Sequence, residues 1–405
     1  MVQAPASILS KIRVYRNLLY VTMCPGRIMR SANSMSAIAA LLLLLVTTDA
    51  STPPFAHCVH KDWVNASCWG WDASDATFAI QSAINTNAST VFVDARQWNV
   101  GPIHLNASGQ TLLLADGCSL LSREGGFPGN GDSLLTISKM SGVTVSGYRA
   151  LLGMPTVPKG AFRMGINIIG TTNTVVEGVR IHSTGGDGIY VGPADAHPAQ
   201  YADCHNTTIR DVSITNASRC GLGLTGSKGL LVENVVIDGT HGASPESAVD
   251  IEPGSSYHHA ENMVFRNVTV SNSNGYNFAI SLHGVDEPPS ITLDGVTVGP
   301  GGRLGGFYLV YWGPGTAGGT VRIANSHVTE QHEGCLILEH KALDAARIVV
   351  ENTELGPGCA DRGNVGMYDR PIYINAKNSV TGGLELNNVT IHDRPVKLLQ
   401  NIFSD

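Results

Sequence analysis

One turn position, used nine times, constrains this chain more than any other feature. At the head of short V-x-V-like segments stand Gly142 (GVTV), Gly178 (GVRI), Asp211 (DVSI), Asn234 (NVVI), Asn267 (NVTV), Gly295 (GVTV), Asn325 (NSHV), Asn352 (NTEL) and Asn388 (NVTI), 23 to 36 residues apart. Only Gly, Asn and Asp occupy the position. These residues enter a left-handed backbone conformation at least cost, so the column predicts one turn reused in successive coils. A second column of strands follows the first: GIYVG at 188–192, GLGLTG at 221–226, AVDIEPG at 248–254, AISLHG at 279–284, FYLVYWG at 307–313, CLILEH at 335–340 and PIYINA at 371–376. Such a period, with strands and no helical pattern, predicts a solenoid whose coils bury their apolar faces against one another. A β-sandwich or barrel would also show short strands between turns, but not one turn residue repeated at one place.

Length and charge bound the rest. A chain of 405 residues could hold two or three average domains, yet a solenoid grows along one axis, and no linker follows residue 72. The formal charge is −7 and no basic run lies beyond the N-terminal region, which argues against a nucleic-acid partner. Forty-six glycines suit a turn-rich β protein, and a monomer is expected.

The first residues stand apart from the fold. Residues 37–46, AIAALLLLLV, are too short an apolar run for a stable membrane span but fit a signal-peptide core, with small residues following at Thr47 to Ser51. Cleavage near Ala50 and a secreted, extracellular protein are expected. The preceding basic segment (Lys11, Arg13, Arg16, Arg27, Arg30) is long for a leader, so a start at Met35 or a signal anchor stays open. The expected organisation is 1–50 basic segment and signal peptide or anchor, 51–71 a disulfide-containing segment, 72–397 the β domain, and 398–405 a C-terminal tail. Sequons at Asn65, Asn87, Asn106, Asn206, Asn216, Asn267 and Asn388 fit a secreted glycoprotein, although Asn267 and Asn388 also sit in the turn column. Among the cysteines beyond the leader, pairs Cys58–Cys68, Cys204–Cys220 and Cys335–Cys359 are expected, with Cys118 left as a buried thiol.

Residues 72–85, DASDATFAIQSAIN, predict a helix with Ser74 or Asp75 as its cap and Phe78, Ile80, Ala83 and Ile84 as its apolar face. A solenoid must cover its first open coil, and this helix is placed there as an N-terminal capping helix. The helix followed by TVFVDARQWNVGPIHL, the Asn-turned coils and the phrase STGGDGIYVG together resemble the pectate-lyase-like (pectin lyase fold) superfamily, over about residues 72–397. The resemblance implies an all-β, single-stranded right-handed parallel β-helix of about nine to eleven coils, built of PbH1-type repeats, with a carbohydrate ligand by analogy. It does not carry the chemistry across. The chain lacks the Asn-Thr-Asp, Asp-Asp and Arg-Ile-Lys set of polygalacturonases and the Asp-Pro-His of mannuronate epimerases.

Strand alternation supplies candidates instead. If Ile189 and Val191, Leu222 and Leu224, Val249 and Ile251, Ile280 and Leu282, Leu336 and Leu338, and Ile372 and Ile374 point inward, the residues between them face out. One outward column then reads Tyr190, Gly223, Asp250, Ser281, Val310, Ile337, Tyr373; the next reads Gly192, Thr225, Glu252, His283, Trp312, Glu339, Asn375. Asp250, Glu252, His283, Trp312 and Glu339 would form one patch, with Asp187, Tyr190 and Arg219 at its side. Asp250 and Glu252, with Cα atoms roughly 6.6 Å apart at the usual strand rise, approach the carboxyl spacing of inverting glycosidases, about 6.5–9.5 Å. His283 could move a proton, and Trp312 could stack on a sugar ring. The duller readings are a solvated acidic face, a surface histidine, a tryptophan covering the stack, an arginine paired to an acid and a turn aspartate.

Three functions follow, in this order. The first is a glycoside hydrolase with Asp250, Glu252, Asp187 and His283 as catalytic candidates, Trp312, Tyr190, Arg219 and Glu339 binding a polysaccharide or glycan, and no cofactor. The second is a lyase or uronate epimerase using Ca²⁺, with Arg219, His283 or Lys228 as base. The third is a non-catalytic carbohydrate-binding or adhesion protein.

Overall fold

The computed structural model describes residues 13–15, 18–20, 62–160, 162–194, 202–283, 285–312, 318–339, 346–359, 371–375 and 383–392. The chain forms two compact units, Met1–Ala56 and His57–Asp405. In the first, strands Arg13–Tyr15 and Leu18–Tyr20 pair antiparallel. The apolar run at 37–46, Cys58 and the tail at 398–405 lie outside the described residues.

The second unit is an all-β parallel solenoid of about nine turns. Each turn contributes a short strand to a ten-stranded parallel sheet and then a strand, or two shorter ones, to a sixteen-stranded sheet. The longest of these, Cys204–Ala217, Ser227–Thr240 and Ala260–Ser273, run fourteen residues each. The turn column explains how they do so while wrapping a core. All nine of its residues, Gly142 to Asn388, adopt φ between 47° and 70°, so each strand bends at the residue that bears a left-handed conformation most cheaply. The side chains bond along the stack as well: Asn267 Nδ2 donates to Asn234 Oδ1 at 2.8 Å, and Asn234 Nδ2 to Asp211 Oδ1 at 3.0 Å.

Inside, the inward residues expected from alternation, from Ile189 and Val191 to Ile372 and Ile374, join one apolar core. The sheet starts before residue 72, because Trp63–Asn65 pairs in parallel with Thr90–Val93. A helix forms over Thr77–Ile84, shorter than the 72–85 read from sequence, and Asp75 Oδ1 accepts the Thr77 N–H at 3.0 Å. It buries Ala79, Ile80, Ala83 and Ile84, but Phe78 is 72% exposed. Phe78 lies about 200° around the axis from Ile80, on the opposite side from the buried stripe. The Gln81 carboxamide meets the outermost strand of the ten-stranded sheet, accepting from His104 N at 3.0 Å and donating to His104 O at 2.9 Å.

Cys335 and Cys359 form the expected disulfide. Cys204 and Cys220 do not: both are free and buried, because they lie at different corners of the coil. Cys204 opens a long strand of the sixteen-stranded sheet and its thiol meets Gly192 O at 3.2 Å, whereas Cys220 precedes the Leu222–Leu224 strand of the ten-stranded sheet. Cys118 is a buried free thiol, its pKa pushed up to about 12 by burial. The expected partner of Cys68, Cys58, is not among the described residues.

Candidate functional site

The candidate residues stand on the outer side of the ten-stranded sheet. Its register runs Tyr190, Gly223, Asp250, Ala279, Tyr308, Ile337, Tyr373. The column expected from sequence holds at five positions and fails at two, where Ala279 and Tyr308 stand in place of Ser281 and Val310. The strands Tyr276–His283 and Gly305–Trp312 begin earlier than their apolar cores suggest, so Phe278, not Ile280, pairs with Val249. A two-residue slip keeps every side chain on its face and moves only its neighbours.

The slip breaks up the five-residue patch. Ser281 pairs with Val310, Val310 with Glu339, and His283 with Trp312 one step further along the strands. His283 is therefore not the neighbour of Glu252, and Trp312 is not the neighbour of Glu339. The side chains of His283 and Trp312 are outside the described part of the structure. Glu339 lies three coils beyond Asp250 and is buried, accepting from Tyr308 OH at 2.8 Å. The Tyr308 ring stacks on Tyr276 with centroids 3.9 Å apart, and the apolar cluster of Ala279, Tyr308, Val310 and Ile337 lies outside the main core. Lys228 pairs with Glu261 at 3.2 Å on the sixteen-stranded sheet.

Asp187, Arg219 and Asp250 do converge. Asp187, in the GGDG turn before the Ile189–Gly192 strand, is completely buried and accepts from Arg219 Nη1 at 3.0 and 3.2 Å and from Cys220 N at 3.0 Å. Its carboxylate lies over Gly223, the smallest residue of the outward column: a Cβ there would stand 2.3 Å from Asp187 Oδ2. Gly223 pairs with Asp250, so Asp187 and Asp250 approach each other across the glycine. Asp250 is 4% exposed and its Oδ2 meets the Cys220 thiol at 3.8 Å. On the other side of Gly223, Tyr190 OH bonds Thr225 Oγ1 at 2.7 Å.

Burial sets the chemistry of the two acids. Asp187 is pushed up to about 6 by burial, held back by the Arg219 guanidinium and the Cys220 N–H. Asp250 is pushed up to about 7 by burial and by the charge of Glu252, with Arg219 opposing. Near neutrality Asp250 thus stands between its two forms beside a second carboxylate, the arrangement general acid catalysis uses. Arg219 is only 15% exposed at its side chain and lies 6.0 Å from the centroid of the exposed Phe162 ring. Among the described residues no group of three or more His, Cys, Asp or Glu is arranged to hold a metal ion. No described helix is long and apolar enough to cross a membrane.

Sequence reasoning missed Cys220, Gly223, Tyr276 and Tyr308. Gly223 had a legible signal, a glycine among side-chain-bearing residues on an outward column. The expected disulfide hid Cys220, and the register slip hid the tyrosines.

No protein-family model matches the sequence, and a search of curated proteins gives no match either. Solved structures do match in backbone path. ORF18 of Geobacillus virus E2 is 13% identical at a TM-score of 0.55, over 94% of this chain and 66% of that one, so the chain spans about two thirds of the viral protein. Below that, at TM-scores of 0.46 and 0.49, lie a hyperthermoactive exopolygalacturonase from Thermotoga maritima (12% identity, 82% of this chain, 92% of that one) and an iota-carrageenase from A. fortis (11%, 89% and 97%). At such identities the likeness is one of fold. That fold is a parallel β-helix.

Proposed function

We propose that the protein is a secreted, polysaccharide-active glycoside hydrolase whose acid is Asp250 and whose partner carboxylate is Glu252. The observation that carries this reading is the burial of Asp250 on the outer face of the sheet, next to the charge of Glu252, with its pKa pushed up to about 7. A carboxyl on the outside of a solenoid ordinarily sits in water and titrates near its unperturbed value. Here the protonated form persists close to neutral pH and can deliver its proton to a glycosidic oxygen. Glu252, two residues along the same strand direction, takes a proton from water as that water attacks the anomeric carbon. The C–O bond breaks, the leaving sugar keeps the Asp250 proton, and the cycle closes when Glu252 releases its proton to solvent and Asp250 takes one up. Asp187 holds Arg219 at the side of the site, and further along the face the half-buried Tyr276 ring, backed by the buried Tyr308 on which it stacks, offers a flat surface of the kind sugars stack on.

The ion pairs weigh against two of the three candidate bases, while the side chain of the third, His283, lies outside the described part of the structure. Arg219 is engaged by Asp187 and Lys228 by Glu261, so neither is poised as the base that a lyase or epimerase needs. The test is mass spectrometry of products after incubating the protein with neutral and uronate-containing polysaccharides, with and without Ca²⁺. Saturated fragments that vanish in Asp250→Asn and Glu252→Gln establish the hydrolase. Unsaturated fragments would replace it with a lyase, and binding without any product would make the face a carbohydrate-binding surface.

A further inference from the structure

We propose that Cys220 is a positioning residue that holds Asp250 through its thiol while its backbone amide holds Asp187, so that one residue fixes the placement of both carboxyls. The inference rests on the assignment of Asp250 as the acid and deepens it. Cys220 is fully buried and is not in a disulfide. Its Sγ lies 3.8 Å from Asp250 Oδ2 and its N–H lies 3.0 Å from Asp187 Oδ1. The charged and titratable groups facing it are Asp187 from the preceding coil, Arg219 from its own, and Asp250 from the following coil, with Glu252 beyond Asp250. The N–H would be present with any residue but proline at this position, so the thiol contact to Asp250 is what the cysteine itself contributes.

A thiol is a weak donor, and that weakness has a use here. A thiol aimed at Asp250 orients the carboxyl yet stabilises its charged form only slightly, leaving the acid protonated near neutral pH. A hydroxyl at the same place would donate more strongly and favour the carboxylate. A methyl would donate nothing and leave the carboxylate poorly solvated. The serine and alanine variants should therefore move the titration of Asp250 in opposite directions, which a packing role does not require.

The experiment is a carboxyl ¹³C NMR titration of the protein labelled at aspartate, with Asp250 assigned from the signal lost in Asp250→Asn. Cys220→Ser is expected to lower the Asp250 midpoint by roughly half a pH unit or more, and Cys220→Ala to raise it. Once a substrate is in hand, the alkaline limb of the pH–rate profile should shift the same way in each variant. An unchanged midpoint in Cys220→Ser, or shifts of the same sign in both variants, overturns the proposal. If Cys220→Ala does not fold, Cys220→Ser alone decides, since it conserves shape. The titration needs no substrate, so a failure of the Cys220 assignment and a failure of the hydrolase assignment are separately visible.

Discussion

Gly223 and Asp187 occupy one space: a Cβ on the glycine would lie 2.3 Å from Asp187 Oδ2 and 3.0 Å from its Cγ. Asp187 is itself fixed by Arg219 and by the Cys220 N–H, so it has nowhere to retreat without breaking a buried ion pair. Gly223→Ala is expected to destabilise the protein by about 1–3 kcal/mol through overpacking. It should also cut turnover by about a hundredfold, the usual result of a displacement near 1 Å at reacting groups. Urea denaturation and initial rates on the same preparation check both. Full activity in the alanine variant would remove Asp187 from the site.

Stability should depend on pH with a sign opposite to that of ordinary surface acids. Asp187 and Asp250 both have folded-state values, about 6 and about 7, above the unperturbed 3.8. The unfolded chain therefore releases these protons first. Their contribution is complete below about pH 4 and is lost as pH rises through 6 and 7. Wild-type Tm, referenced to Asp250→Asn, should fall between pH 4 and 8, because the amide carries no charge to bury. Parallel curves for the two proteins would show that Asp250 is ionised in the fold throughout.

The parts of this molecule governed by a local rule were legible in its sequence. The turn column was readable because a left-handed φ selects Gly, Asn or Asp whatever surrounds it, and Gly142 to Asn388 all adopt that conformation. The inward face was readable because alternation is a property of the strand alone. Lateral register is not local. Whether Val249 meets Phe278 or Ile280 depends on where the turn between coils ends, and both choices keep apolar residues inside. Asp187 was visible as a candidate from its place before a strand, but its depth of burial and its bond to Arg219 arise from three coils meeting at one corner. Phe78 shows the same limit in the helix: it is apolar, but its exposed position follows from which stripe the neighbouring strands bury.

The asparagine ladder should be worth more than its turn preference. Asn234 takes φ of 54°, donates to Asp211 and accepts from Asn267. Asn234→Gly keeps the conformation and loses two exposed hydrogen bonds, a cost of up to about 1 kcal/mol. Asn234→Ala loses the bonds and adds left-handed strain of roughly 1–2 kcal/mol. Equilibrium denaturation should rank wild type above the glycine variant and the glycine variant above alanine. Equal stability for glycine and alanine would show that the bend relaxes when its side chain is removed.

The helix Thr77–Ile84 is proposed to close the N-terminal end of the stack, and Gln81 offers a way to test it. Its carboxamide occupies both backbone groups of His104, which stands on the outermost strand of the ten-stranded sheet. An open strand edge is a template for pairing with another chain. Gln81→Ala removes these two bonds and a third to Asn85 Oδ1 at 3.1 Å, and exposes that edge without altering helix propensity for the worse, since alanine is the better helix former. The expected loss is about 1–2 kcal/mol of stability, together with concentration-dependent association visible by light scattering. Gln81→Glu keeps an acceptor for His104 N but has no donor for His104 O, and should fall between the two. A Gln81→Ala protein that is as stable as wild type and stays dispersed at high concentration would mean that the edge is protected by something other than this helix.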